Sequence, residues 1–101
     1  MTPEQQAALE RLIDHAQSDT GQSRRAANFL LAWWNAGDNG GFDLTDLWGV
    51  DSAIAADMQT VFGLIATTQS YPDAFGHRAA IERIWRLWRG GATDDADQAA
   101  E

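Results

Sequence analysis

Residues 32–44 read AWWNAGDNGGFDL, and this segment determines how the two halves of the chain meet. Its first part closes a strongly apolar helical pattern, whereas its second part is rich in glycine and Asx residues, which turn the chain at little cost. We expect Gly37 to end the helix and Gly40 or Gly41 to take a positive φ. Phe42 immediately precedes the next helix and is therefore predicted to turn into the core.

Apolar residues recur at spacings of three and four along most of the chain, which is the pattern of amphipathic helices. The predicted segments are a first helix capped by Thr2, a second that ends near Ala36, a short one with Leu44 and Leu47, a long one capped by Asp51 or Ser52, and a last one that Gly90-Gly91 stops. The second is apolar on nearly every side, so we expect it at the centre of the domain. The sequence predicts an all-α fold: a compact four- or five-helix single domain.

The end of the chain has a different composition. Residues 91–101 contain no apolar residue larger than alanine, and four of them are acidic. If such a segment folded, it would lose conformational entropy, and no burial of apolar surface would compensate for that loss. We therefore expect a helical domain over residues 1–90 and a disordered acidic C-terminal tail over residues 91–101.

Composition excludes several classes of function. The chain has 101 residues, no cysteine and a formal net charge of -8, so disulfides and thiolate chemistry are excluded. Six Asp residues and no Arg or Lys lie between residues 26 and 77, whereas the last helix carries four Arg. This acidic balance disfavours direct nucleic-acid binding. No apolar run approaches the ~20 residues of a membrane span and the N-terminus lacks a signal-peptide pattern, so we expect a cytoplasmic protein that contacts no membrane.

Two local patterns resemble functional sites, a metal-binding loop and an acid–base pair, and neither contains all the residues that such a site needs. The segment Asp38–Asp43 carries carboxylates and glycines, but the ligand register of an EF-hand fails, and an Asx-rich turn explains the same residues. His15 with Asp14 or Asp19 is a conceivable acid–base pair, but no nucleophile or oxyanion donor accompanies it. We predict no catalytic residue, no metal site and no cofactor.

Five tryptophans are many for a chain of this length. Core packing is the favoured role for Trp48, Trp85 and Trp88. Trp33 and Trp34 point about 100° apart on a helix, so one of them is a candidate for a surface that binds a partner. The predicted interaction surface consists of Trp34, Gly37, Asp38, Asn39, Asp43, Asp46 and Asp51.

Three blocks of sequence stand out together: DTGQSRR at 19–25, FLLAWWNAG at 29–37 and GGFDLTDLW at 40–48. They resemble an uncharacterised small domain family encoded on integrative and conjugative elements and plasmids of proteobacteria. The similarity covers roughly residues 8–88. This resemblance implies an accessory protein of a mobile genetic element, and it brings no activity and no catalytic residue with it.

We expect a non-enzymatic protein-interaction or regulatory module, because the chain lacks a catalytic constellation, is polarised in charge and is rich in tryptophan. Its partner would be another protein, and a homodimer is one version of this hypothesis. The alternative is an acidic decoy that imitates nucleic acid and binds a host defence or replication protein. A small enzyme that uses His15 and Asp14 is the weakest alternative.

Deletion of residues 92–101 should leave the melting temperature almost unchanged, because this segment has no large apolar side chain to bury. Calorimetry on the full and shortened chains measures the effect. A loss of more than about 1 kcal/mol in the free energy of unfolding would contradict the prediction, since it would mean that the segment docks.

Overall fold

The structure, a computed structural model, describes residues 1–90. Four α-helices form the domain: α1 (Pro3–Ala16), α2 (Gly21–Asn39), α3 (Ser52–Thr68) and α4 (Arg78–Trp85). Two 3₁₀ helices join them, the connector helix (Leu44–Gly49) and the proline turn (Pro72–Phe75), and a π-helical turn (Arg86–Gly90) follows α4. The all-α prediction is confirmed for this part of the chain, and the predicted acidic tail lies outside the described residues.

Local capping explains where the first two helices begin. The Thr2 hydroxyl accepts a hydrogen bond from the backbone N–H of Gln5 at 3.0 Å, and the Gln5 side chain accepts one from the Thr2 backbone N–H at 2.9 Å. This is the predicted capping box. Thr20 caps α2 in the same way, through the Ser23 backbone N–H at 3.0 Å. These side chains satisfy backbone donors that have no partner within the helix.

The core lies where α2 and α3 pack against α1, and α2 also contacts every other element, as its apolar pattern predicted. Leucine, isoleucine and alanine side chains make up most of this core. Its fully buried large side chains are Leu9, Leu12, Leu30, Leu31, Met58, Val61, Leu64, Ile81 and Ile84. Burial of a side chain of this size stabilises the fold by about 1.5–3 kcal/mol.

The end of α2 differs from the prediction. The helix does not end at Gly37; it kinks at Asn35 (φ −165°, ψ 87°), continues to Asn39, and is capped by Gly40 at φ 92°. The Asn35 side chain accepts a hydrogen bond from the Asp38 backbone N–H at 3.2 Å and so caps the final turn. The positive φ predicted for Gly40 or Gly41 is confirmed at Gly40.

Two of the tryptophans assigned to the core lie at the surface. Trp48 is 85% exposed and Trp85 is 36% exposed, so these assignments were wrong. Trp85 covers Gly90 instead, where a Cβ would lie only 2.6 Å from its ring. Trp88 does pack against the core, and its indole N–H donates a hydrogen bond to the Ala16 carbonyl at 2.8 Å. Trp88 therefore holds the last turn of the domain to the end of α1.

An ion pair that the sequence did not reveal joins α1 to α3. Arg11 donates two hydrogen bonds to Asp57, from Nε at 2.9 Å and from Nη2 at 2.8 Å. Asp57 is buried, whereas Arg11 reaches it from the surface. The hydrogen bonds and the charge of Asp57 raise the pKa of Arg11. A pair of hydrogen bonds of this kind fixes the relative orientation of the two side chains and also stabilises their contact.

Within residues 1–90, none of the helices combines the length and the apolar character that a membrane crossing requires.

Replacement of Asp57 by Asn should lower the free energy of unfolding by about 1–3 kcal/mol, because an amide offers the guanidinium one acceptor oxygen instead of two charged ones. Denaturant titration provides the measurement. The control is Asp73→Asn, since Asp73 pairs with the largely exposed Arg78, and such surface pairs contribute about 1 kcal/mol or less. Equal losses in the two variants would contradict a special role for the α1–α3 pair.

Candidate functional site

An apolar groove lies between α2 and α3. Both helices make their main contacts with α1 rather than with each other, so they diverge on the opposite side. The space between them has a volume of about 630 Å³. We call it the α2–α3 groove, and its lining residues are Phe29, Ala32, Trp33, Phe42, Leu44, Leu47, Met58, Gln59, Phe62 and Ile65.

The aromatic residues on the α2 side of the groove are held in place by their neighbours. The rings of Phe29 and Phe42 meet edge to face with centroids 5.2 Å apart, so Phe42 does turn inward as predicted. The rings of Trp33 and Phe75 have centroids 6.1 Å apart. The indole N–H of Trp33 donates a hydrogen bond to the Ser70 carbonyl at 2.9 Å. Because this polar atom is satisfied elsewhere, Trp33 presents an apolar surface to the groove.

The rims of the groove expose large apolar side chains. Leu44 on the connector helix is 69% exposed, and Phe62 on α3 is 64% exposed. The sequence of α3 contains one charged residue, Asp57, and Arg11 engages it on the α1 side. The outer face of α3 is therefore uncharged. Exposed aromatic and aliphatic side chains beside a groove are typical of surfaces that bind other proteins.

Carboxylates border the groove at the connector helix. Asp43 caps this helix: one of its oxygens accepts hydrogen bonds from the Thr45 backbone N–H at 3.0 Å and from the Thr45 hydroxyl at 2.8 Å. These hydrogen bonds lower the pKa of Asp43, so the group stays ionised in mildly acidic solution. Asp46, one turn later, forms an ion pair with Arg25 at 3.5 Å.

The structure divides the predicted interaction surface into two groups. Trp34, Asp38 and Asn39 lie together around a second concavity, which Trp85 and Arg89 complete, and Gly37 is exposed in the same final turns of α2. In this group Arg89 donates a hydrogen bond to the Asn39 carbonyl at 3.0 Å.

The other group adjoins the first half of α2. Asp46 pairs with Arg25, Asp51 hydrogen-bonds with Gln22, and Asp43 belongs to the same connector. Along the helix axis, Gln22 and Trp34 are about 18 Å apart. The seven residues therefore do not form one compact patch. None of them lines the α2–α3 groove, but Asp43 and Asp46 lie in sequence between its lining residues Phe42 and Leu47.

Sequence reasoning missed the groove because it assigned the apolar residues of α2 and α3 to the core. The available signal was the composition of α3. Phe62 lies about 100° around the helix from the buried Val61, on a face that carries no charge to explain its exposure to water. A helix that is apolar beyond its core stripe indicates a second contact surface.

Among residues 1–90, the groove has an apolar lining in which Gln59 is the only residue with a polar side chain apart from the indole of Trp33. Such a lining can bind an apolar surface, but it offers no nucleophile and no acid–base group. His15 and Asp14 are exposed in the last turn of α1 and do not line it. In the described part of the chain, no three His, Asp or Glu side chains cluster as metal ligands would.

The cap at Asp43 predicts a specific pH dependence. Because the folded state lowers the pKa of Asp43, its contribution to stability is present above the pKa of the unfolded chain and is lost as the pH falls through the folded value. The melting temperature of wild type should exceed that of Asp43→Asn at neutral pH, and the difference should disappear in acid. In a Thr45→Val background this pH-dependent difference should be smaller, because the hydroxyl donor is lost while the backbone N–H of residue 45 remains. A difference that is constant with pH would contradict the assignment.

Comparison with known proteins gives a family but no activity. Neither a curated protein nor a solved structure matches the chain. The sequence model of a family of unknown function, DUF7673, matches residues 6–89, which contain the lining of the groove and the core beneath it. The prediction of an uncharacterised small domain family is thereby confirmed, and the chain belongs to the DUF7673 family.

Proposed function

We propose that this protein is a non-enzymatic interaction module that holds an apolar segment of a partner protein in the α2–α3 groove. The observation that carries the proposal is the open apolar groove with Leu44 and Phe62 exposed on its rims. A groove of this kind suits an amphipathic helix, which can lay its apolar face between two diverging helices.

The anchoring of the groove residues supports this proposal. Trp33 and Phe42 are each fixed by ring contacts within the domain, so little side-chain entropy would be lost when a partner binds. Aromatic residues in well-packed surroundings are also the usual energetic centre of a protein interface. The groove therefore offers binding energy at a small entropic cost.

The biological setting belongs to the same proposal. The resemblance of residues 19–48 to proteins of integrative and conjugative elements and plasmids supports an accessory role in the maintenance, transfer or regulation of a bacterial mobile element. A cytoplasmic protein that contacts neither nucleic acid nor membrane directly fits the acidic composition.

The acidic decoy is less well supported. A nucleic-acid mimic needs a free array of negative charge, but several carboxylates of the acidic region are engaged within the domain. Asp57 pairs with Arg11, Asp46 with Arg25, and Asp73 with Arg78. The small-enzyme alternative has less support still, since its candidate residues do not line the groove.

Capture of a partner from the native host tests the groove. Wild type should retain a partner protein. Phe62→Asp should retain at least about tenfold less of that partner, because the substitution places a charge in the apolar contact. The matched control is Tyr71→Asp, since Tyr71 is exposed to the same degree as Phe62 but does not line the groove. Circular dichroism establishes that both variants fold.

Two results would contradict the proposal. Equal capture by wild type and Phe62→Asp would place the binding surface elsewhere. Capture that falls steeply with added salt and is insensitive to Phe62→Asp would favour the acidic decoy, because attraction between exposed charges is screened.

A further inference from the structure

We propose that the occupant of the α2–α3 groove is the C-terminal surface of a second copy of this chain, centred on Leu87. This inference rests on the proposed function of the groove and names its partner. The chain carries both halves of a complementary contact, an apolar groove with an acidic rim and an exposed leucine between arginines.

The C-terminal surface consists of Arg83, Arg86 and Leu87. Leu87 is 58% exposed although it is a large aliphatic residue. Arg83, four residues earlier, lies beside it on the same face of the helix, and both arginines are exposed. Arg83 donates a hydrogen bond to Gln17 at 3.0 Å, whereas the side chain of Arg86 forms neither a hydrogen bond nor an ion pair within residues 1–90.

The lining of the groove is uncharged, and its rim at the connector is acidic because the exposed carboxylate of Asp43 lies between the lining residues Phe42 and Leu44. No Arg or Lys occurs from residue 26 to residue 77, so every charged side chain that this stretch contributes to the groove and its rims is a carboxylate. Asp43 is exposed, and its hydrogen bonds with Thr45 keep it ionised. An aliphatic side chain flanked by guanidinium groups therefore matches both the apolar lining and the charge of the rim.

The contact must form between molecules. Leu87 belongs to the π-helical turn, which packs against α4 and α2 and has no extensive contact with α3 or the connector helix within residues 1–90. Leu87 thus extends from a different side of the domain than the groove. The groove of one copy can receive Leu87 only from another copy.

A twofold arrangement would satisfy both copies. In a closed dimer each chain gives its C-terminal surface to the groove of the other, so two identical contacts form and none is left open. The chain is negatively charged overall, and its separation into acidic and basic surfaces gives this orientation an electrostatic advantage over others.

Analytical ultracentrifugation of the full chain, from low micromolar to several hundred micromolar, tests the proposal. Wild type should show a reversible monomer–dimer equilibrium. Phe62→Asp in the groove and Leu87→Asp on the C-terminal surface should each weaken dimerisation by about tenfold or more. Tyr71→Asp and Arg24→Glu, which change exposed residues outside both surfaces, should leave it unchanged.

A mixing experiment separates a specific contact from a general loss of structure. Phe62→Asp retains an intact C-terminal surface and Leu87→Asp retains an intact groove, so the mixture should form a 1:1 complex that neither variant forms alone. Fluorescence anisotropy of one labelled variant measures it. A monomeric wild type at all concentrations, or no complex in the mixture, would overturn the proposal.

A neutral apolar dye, Nile red, distinguishes the failure of this inference from that of the proposed function. If wild type is monomeric but binds the dye more strongly than Phe62→Asp does, the groove is an apolar binding site. In that case only the proposal that a second copy occupies it is refuted. If the two proteins bind the dye equally, the groove itself is refuted as a binding site.

Discussion

The attachment of both α2 and α3 to α1 is the constraint from which the groove follows. α1 buries Leu9 and Leu12 in the shared core, and Arg11 holds Asp57 of α3 through two hydrogen bonds. Because each of the longer helices is attached to α1, they need not pack closely on each other. Their outer apolar residues therefore remain available, and the exposure of Phe62 is a consequence of where the core lies.

The kink in α2 determines how the connector closes one end of this groove. Asn35 interrupts the helix and caps its final turn, and the Asn39 side chain donates a hydrogen bond across the kink to the Leu31 carbonyl at 3.3 Å. Gly40 then turns the chain with a positive φ. Phe42 meets Phe29 immediately after this turn. A short sequence of polar and glycine residues thus directs an aromatic ring into the groove wall.

Features that depend on near neighbours in sequence could be predicted, and those that depend on distant neighbours could not. The cap at Thr2, the turn at Gly40 and the inward position of Phe42 follow from residues within a few positions of each other. The pairing of Asp57 with Arg11 depends on how α1 meets α3, and periodicity alone does not predict a carboxylate on an apolar stripe. Trp48 was misassigned for the same reason: aromatic character predicts burial, but only the packed fold shows that the connector has no surface to cover it.

Folding determines which of the charged residues along the sequence are paired and which remain unpaired. Between residues 26 and 77 the chain contains six carboxylates and no Arg or Lys. Some of these carboxylates pair with arginines that precede or follow this stretch, as Asp46 does with Arg25. Close to that pair, a Cβ at Gly49 would lie 2.7 Å from Nε of Arg25, so a larger residue there would displace the guanidinium. The carboxylate at Asp43 has no such cation and is instead stabilised by Thr45. Three of the six carboxylates in this stretch, Asp46, Asp57 and Asp73, are thus paired with arginines, while the side chain of Arg86 remains unpaired within residues 1–90. A domain that leaves a carboxylate beside one exposed apolar surface and a guanidinium beside another has the polarity that directional association requires.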